Sequence, residues 1–406
     1  MLGQKGVHVH LLEKGIEIDL RPRATHYAPS AVHELQRAGI ADEARARGFT
    51  PKEICWRKLD GTYLAGIDQR LLSTQESERM ICLPLDKLGT LLLERIKEQT
   101  TVSLKYRHKI IDVGQNAEVA WVDVETPEGK KRLEANYVIG CDGASSQIRR
   151  SLFSEFPGKT WEQQIVATNV YYPFEKWDYL DANFFIHPEH WHMVARISTD
   201  GMWRVSYGEI PGLSDEELIA RQPMKFQEMF PGHPTADSGE YRLTNISPYK
   251  VHQRLAERMR VGRILLAADA AHLCNPFGGM GLTGGIVDIG GLYDCLIGIY
   301  EGKADDSILD KYDEVRRRIY EEVINPVSSG NIVRLFGQDP DKALENDDFL
   351  KLLVAAEKDE KALQVLQDGM SGIMHDFTQY YNRPNKTPEK SQAEVTANEQ
   401  QAAVVV

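Results

Sequence analysis

Several absences narrow the field before any motif is considered. The chain has no Cys-x-x-Cys pair. Its five cysteines, Cys55, Cys82, Cys141, Cys274 and Cys295, are odd in number and widely separated. That argues against a disulfide framework and predicts reduced thiols, a cytoplasmic location and no bound metal. No apolar run reaches the ~18 residues that a membrane-spanning helix needs. The N-terminal stretch MLGQKGVHVHLLEKG lacks a long apolar segment ending in a small-residue cleavage site, so no secretory leader is expected. No basic stripe is visible either, and the net charge is -12. That disfavours nucleic acid and anionic membranes as partners, and the acidity reads as ordinary solubility.

What is present suits a globular enzyme. A chain of 406 residues, 42% hydrophobic and 27% charged, has material for two intimately packed domains. Residues 2–6 read as the last turn of a helix with Gly6 as its C-cap, and 7–12 (VHVHLL) as a strand ending at Glu13. Residues 83–97 have helical apolar spacing. Residues 118–126 and 131–142 read as a hairpin that feeds a buried strand, YVIG. From about 156 to 249 the pattern alternates and is rich in aromatics, as in MWRVSY, which predicts a mostly antiparallel sheet. Residues 263–268 (RILLAA) form an apolar strand before a glycine-rich turn and a helix. The pattern is helical over 307–372, and 386–406 reads as a disordered tail.

Four places carry chemistry. Glu13 ends a strand where an acid can hydrogen-bond a ribose. Arg21 and Arg23, in RPRA, offer fork-shaped donors to a diphosphate or a flavin edge. The string GCDGASSQIR runs from a buried strand through Asp142 into small residues, which admit close backbone approach, and then into a helix start, which favours phosphate. The strongest signal is GRILLAADAAH followed by NPFGGMGLTGG. A strand delivers Asp269 toward the hydroxyls of a ribityl chain. The loop from Pro276 through Gly278, Gly279, Met280, Gly281, Leu282 and Thr283 then enters a helix whose N-terminus can face an anionic ring edge. His272 reads as structural, and no proton transfer is assigned to it.

With those motifs in this order, residues 2–332 resemble the p-hydroxybenzoate hydroxylase-like flavoprotein monooxygenases, the fungal phenolic- and polyketide-modifying branch in particular. LLEK matches the acidic strand end and RPRATHY the arginine segment. CDGASSQIRRSL matches the Asp-Gly motif, and GRILLAADAAHLCNPFGGMGLTGG the Gly-Asp motif and flavin loop. The resemblance implies an α/β fold: a Rossmann-like FAD-binding domain made from 1–155 and 250–330, with an inserted, mostly antiparallel substrate sheet at 156–249. A helical region at 331–385 and the tail at 386–406 follow. It implies an FAD-dependent monooxygenase that uses NAD(P)H and O2 to hydroxylate an aromatic, phenolic small molecule in secondary metabolism, with homodimerisation left open. Pro276, Gly278 and Gly279 would lie beside the flavin ring, Asp269 on the ribityl chain, and Arg23 on the flavin or visiting nicotinamide. Glu13, Arg21, Asp142 and residues 279–283 complete the cofactor set.

The sequence departs from the family pattern in places. A G-x-G-x-x-G turn is expected about 20 residues before Glu13, where the sequence given has no room for it. A shortened N-terminus, an unpaired sheet edge at 7–12 and weak FAD binding are therefore expected. The glycine of the Gly-Asp motif is Ala268, a change that costs little room. Leu85 replaces a common Gln or Arg, and Thr283 a common Asn. Two other functions stay open: a different flavin oxidation, such as epoxidation or Baeyer–Villiger chemistry, or a degenerate, non-catalytic relative.

Overall fold

The computed structural model describes residues 1–19, 23–73, 75–382 and 402–406, without the Ala402 side chain. Its first element is the single turn read from the sequence. Gly3–Lys5 is a 3-10 turn, closed by Gly6 at φ 84°, whose N–H bonds the Gly3 carbonyl. A left-handed C-cap of this kind selects glycine.

From there His8–Leu12 enters a six-stranded sheet. The strand order is Arg260–Val261, Ile264–Leu266, Tyr137–Gly140, Ala402–Val405, His8–Leu12, Val102–Lys105. All neighbours are parallel except the first pair. One segment corrects two expectations. The strand at 7–12 is not a sheet edge, and the tail at 386–406 is not disordered to its end. Ala402–Val405 lies between His8–Leu12 and Tyr137–Gly140, with Ala403 opposite both Val9 and Tyr137 and Val405 opposite both Leu11 and Ile139. Ala403 and Val404 are buried. The run AAVVV has the small and β-branched composition of a strand covered on both faces.

The second sheet has eight strands and is antiparallel except where Ala182–Ile186 runs parallel to Glu53–Lys58. Its long central pair, Gly158–Tyr171 and Arg242–Leu255, is the spine. The sheet is not confined to 156–249, because Glu53–Lys58 and Tyr63–Asp68 extend one end. On one face, helix Asp215–Met229, started by a Ser214/Glu217 capping box, covers Val166, Val205 and Tyr207. The opposite face packs on Phe277 and the helical C-terminal region, which contributes Ile332, Leu335 and Leu350. A small three-stranded sheet, made of Lys109–Gln115 and the hairpin Ala120–Thr126 with Gly129–Ala135, precedes the buried strand Tyr137–Gly140.

Helix Met280–Tyr300 is the core helix of the parallel-sheet half. It is 21 residues long, and an 18-residue window within it has a mean hydropathy of 1.4, so by length and composition it could cross a membrane although no unbroken apolar run is that long. Of that window 72% is buried within the protein, and the helix carries the buried Asp288 and Asp294, as the core helix of a globular domain does.

Candidate cofactor and substrate site

Three parallel strands end on the same side of the sheet. His8–Leu12 leads to Glu13, Tyr137–Gly140 to Asp142, and Ile264–Leu266 to Asp269. That edge is where open α/β sheets bind ligands. Arg149 ties two of the turns together, donating to the Ala270 carbonyl at 2.9 Å and the Ala144 carbonyl at 2.7 Å. Asp142 uses one oxygen to accept from the Gln147 and Ile148 N–H groups at 2.6 and 3.2 Å, holding the start of helix Gln147–Leu152. Its other oxygen, Oδ1, is shielded from solvent and has no partner among the described residues.

Solvent reaches Asp269, yet protein crowds it closely enough to push its carboxyl above the usual range; His272 and Arg23 oppose that shift. Arg23 is exposed, pairs with Asp19 at 3.2 Å, and accepts from Arg204 Nη2 through its carbonyl at 3.1 Å. Glu13 is also exposed and accepts from the Gly15 N–H at 2.6 Å. Arg21 lies outside the described residues. The Asp269 turn is anchored from below by Asp288. One Asp288 oxygen faces the Ala268 N–H at 3.0 Å and His272 Nε2 at 2.7 Å; the other accepts from Arg316 Nε at 2.6 Å. Burial raises the Asp288 pKa, but His272 and Arg316 outweigh it, and the carboxyl falls to about 2. His272 is thus held by the core.

Ala268 stands at φ 54°, in the left-handed region. The change from glycine therefore costs backbone strain rather than room, a correction to the sequence reading. Room matters at Gly285, where an added Cβ would come 2.7 Å from the Ala268 Cβ.

The glycine-rich loop is fixed from behind and open in front. Asn275 is fully buried: it accepts from the Phe277 N–H at 3.1 Å and donates to the Ser328 carbonyl at 2.8 Å, and its N–H reaches Gln253 Oε1 at 3.0 Å. Phe277 packs on Trp191. Pro276, Gly278 and Gly279 face solvent, the two glycines at φ 105° and 67°. Gly279, Gly281 and Gly284 repeat G-x-G-x-x-G spacing at the N-terminus of helix Met280–Tyr300, where Thr283 Oγ1 is buried without a partner among the described residues. Two orphaned buried oxygens, two left-handed glycines and a helix N-terminus at one sheet edge fit a flavin nucleotide.

Sequence reasoning missed a second group. On the sheet face that carries Gln253 lie Tyr249, Asn169 and Arg204: Tyr249 is two and four residues from Val251 and Gln253, and Asn169 pairs across strands with Arg204. Arg204 is half-buried, and its Nε donates to Asn169 Oδ1 at 2.7 Å. Among the described residues no carboxylate pairs with it. His26 stands close enough for Arg204 to depress its pKa, which burial chiefly lowers to about 4. Its Nδ1 faces Thr25 Oγ1 at 2.8 Å, and its Nε2 is shielded without a partner among the described residues. Burial raises the Tyr249 phenol, and Arg204 opposes. No local motif marks these residues; they converge from separate strands.

Comparison with known proteins places these features in a family. Residues 1–326 match the family model described as FAD binding domain. Para-nitrophenol 4-monooxygenase of Pseudomonas sp. (strain WBC-3) is 34% identical over 86% of this chain and 87% of its own length. 6-hydroxy-3-succinoylpyridine 3-monooxygenase HspB of Pseudomonas putida (strain DSM 28022 / S16) is 33% identical over 84% and 86%. The crystal structure of p-nitrophenol 4-monooxygenase PnpA from Pseudomonas putida DLL-E4 superposes with a TM-score of 0.86, at 33% identity, covering 92% of this chain and 93% of that one. Aklavinone-11 hydroxylase, in a ternary complex with FAD and aklavinone, shares the fold at a TM-score of 0.71 and 20% identity, over 84% of this chain and 66% of that one.

Proposed function

The chain belongs to the FAD binding domain family, and from that premise we propose that it is an FAD-dependent monooxygenase that uses NAD(P)H and O2 to hydroxylate a small phenol or hydroxypyridine. The observation that carries the substrate class is the Arg204–His26–Tyr249 group. A half-buried guanidinium without a carboxylate partner favours an anion. His26, kept neutral by burial and by Arg204, has an Nε2 with no partner among the described residues and can hydrogen-bond the phenol oxygen or a ring substituent. Tyr249 is a neutral donor beside them. A phenolate whose oxygen faces Arg204 lies on the sheet face that continues to Gln253 and the glycine loop.

FAD, when bound, supplies the redox chemistry that lets NAD(P)H reduce O2 and one oxygen atom enter the ring. The protein's part is positioning. Asp269 takes the ribityl hydroxyls, and Arg23 the flavin edge or the nicotinamide. Glu13 takes the adenosine ribose. Asp142 Oδ1 and Thr283 Oγ1 are the spare acceptors. Pro276, Gly278 and Gly279, with Met280, Gly281 and Leu282 next in the chain, would hold the flavin, their backbone kept in place by Asn275, Gln253 and Ser328. In this reading 1–155 and 250–330 form the cofactor half, and 156–249 with the strands at 53–68 the substrate half. The enzyme works in the cytoplasm with its thiols reduced.

The test is steady-state NAD(P)H oxidation by the FAD-loaded protein with a panel of phenols, 4-nitrophenol included. Arg204→Ala should raise KM for the phenol by roughly tenfold or more, the worth of one hydrogen bond to a charged group. Phenol-independent oxidation, or an unchanged KM in the variant, counts against the assignment.

A further inference from the structure

The six-stranded sheet is two separate pieces joined by one strand. Among the described residues His8–Leu12 pairs only with Val102–Lys105 and Ala402–Val405, and Tyr137–Gly140 only with Ile264–Leu266 and Ala402–Val405. Without Ala402–Val405, no strand pairing among them connects the half that ends in Glu13 to the half that ends in Asp142 and Asp269. The junction is fully formed: Val404 is completely buried and Ala403 nearly so. The Val406 N–H donates to the Ile139 carbonyl at 3.0 Å, and the Cys141 N–H to the Val406 carbonyl at 2.6 Å. That last bond lies one residue from Asp142.

We propose that Ala402–Val405 is a sheet-completing strand, supplied by the same chain, that sets the spacing between Glu13 and the Asp142–Asp269 pair and so determines how well the dinucleotide is held. The inference rests on the reading of this edge as the FAD site. A dinucleotide that touches acids on both halves needs their separation fixed in advance, because otherwise binding must also order the two halves. The same-chain origin follows from where the preceding segment is tethered. Asn382 N–H donates to the Lys303 carbonyl, and the Tyr381 hydroxyl to the Asp294 carbonyl, just beyond and near the end of helix Met280–Tyr300. Tyr300 lies against Gly6, which precedes strand His8–Leu12. The tether is therefore at the sheet edge where the parallel strands begin, which is where Ala402 must enter. Residues 383–401 can span tens of ångströms at about 3.3 Å each.

Two changes test the strand: removal of residues 402–406, and Val404→Asp in the full chain. Amide exchange at 8–12 and 137–140, measured without FAD, should lose protection in both variants, and FAD titration should show affinity weakened roughly tenfold or more. A Leu11→Cys/Val405→Cys pair should oxidise to a cross-linked monomer, with the single-cysteine variants as controls for the native thiols. Unchanged exchange overturns the proposal, as does lost protection with unchanged FAD affinity. Cross-linked dimers alone overturn the same-chain origin. If the intact chain takes up no FAD, the functional reading fails and takes the cofactor half of this inference with it. Exchange and cross-linking then still decide whether the strand joins the sheet.

Discussion

Asp288 offers the sharpest test of how the cofactor edge is built. Its carboxylate is the shared partner of Arg316, His272 and the Ala268 N–H, and Asp288, His272 and Arg316 are at most 1% exposed. Asp288→Ala leaves a buried guanidinium without its counter-charge. Breaking one side of a buried ion pair costs about 3–5 kcal/mol. Against a total stability of about 5–15 kcal/mol, that is a large fraction. Arg316 keeps its bonds to the Ile373 carbonyl at 2.7 Å and the Gly284 carbonyl at 3.5 Å, so the lower part of the range is expected. The double variant Asp288→Leu/Arg316→Leu should cost less than the two singles summed, by roughly 0.5–3 kcal/mol, because no charge is then stranded. Urea unfolding measures each corner of the cycle, with the loss appearing in the midpoint and not in the slope. Asp288→Asn keeps the shape and should cost less than alanine. A loss under about 1 kcal/mol for Asp288→Ala, or strict additivity in the cycle, would refute the claim that this triad anchors the Asp269 turn.

Three further expectations follow from named residues. Asp269→Ala should weaken FAD binding roughly five- to 150-fold, the equivalent of about 1–3 kcal/mol, by fluorescence titration; unchanged affinity removes its ribityl role. Ala268→Gly relieves about 1–2 kcal/mol of left-handed strain and gives back about 0.4–1 kcal/mol through the freer unfolded chain. Stability should therefore rise by about 0–1.5 kcal/mol, and a clear loss would contradict the strain assignment. His26 is held neutral, with its pKa lowered to about 4, so the unfolded chain binds the proton more readily than the folded one. Its contribution is intact above about pH 6.5 and is lost as pH falls toward 4. His26→Gln should flatten that part of the stability–pH curve, and an identical curve would show that His26 is not shielded.

The convergence of Glu13, Asp142 and Asp269 on one candidate edge was legible because its signals are local. A strand that ends in an acid, an Asp-Gly turn before a helix, and a glycine run after Asp269 each fit within about ten residues, and the parallel register carries all three to one edge. The hairpin before Tyr137–Gly140 and the Gly6 cap were readable for the same reason. What could not be read depends on distant partners. AAVVV becomes a central strand only because two other strands leave a gap of its width, and five residues after a polar stretch carry no such information. Arg204, His26 and Tyr249 come from three separate strands. Ala268 looked like a matter of volume, since nothing in the letters gives the sign of φ. The helix Met280–Tyr300 hid from a run-length count because glycines and two aspartates interrupt its apolar residues, although its average hydropathy is high.

Insertion of oxygen into a phenolic ring, with FAD as the working cofactor, is tested by turnover of the FAD-loaded protein under isotopically labelled dioxygen, with NAD(P)H and a phenol it accepts, followed by mass spectrometry of the product. One labelled oxygen atom is expected in each hydroxylated ring and none from labelled water. Product without label, or NAD(P)H consumption matched entirely by hydrogen peroxide with the phenol unchanged, would contradict it.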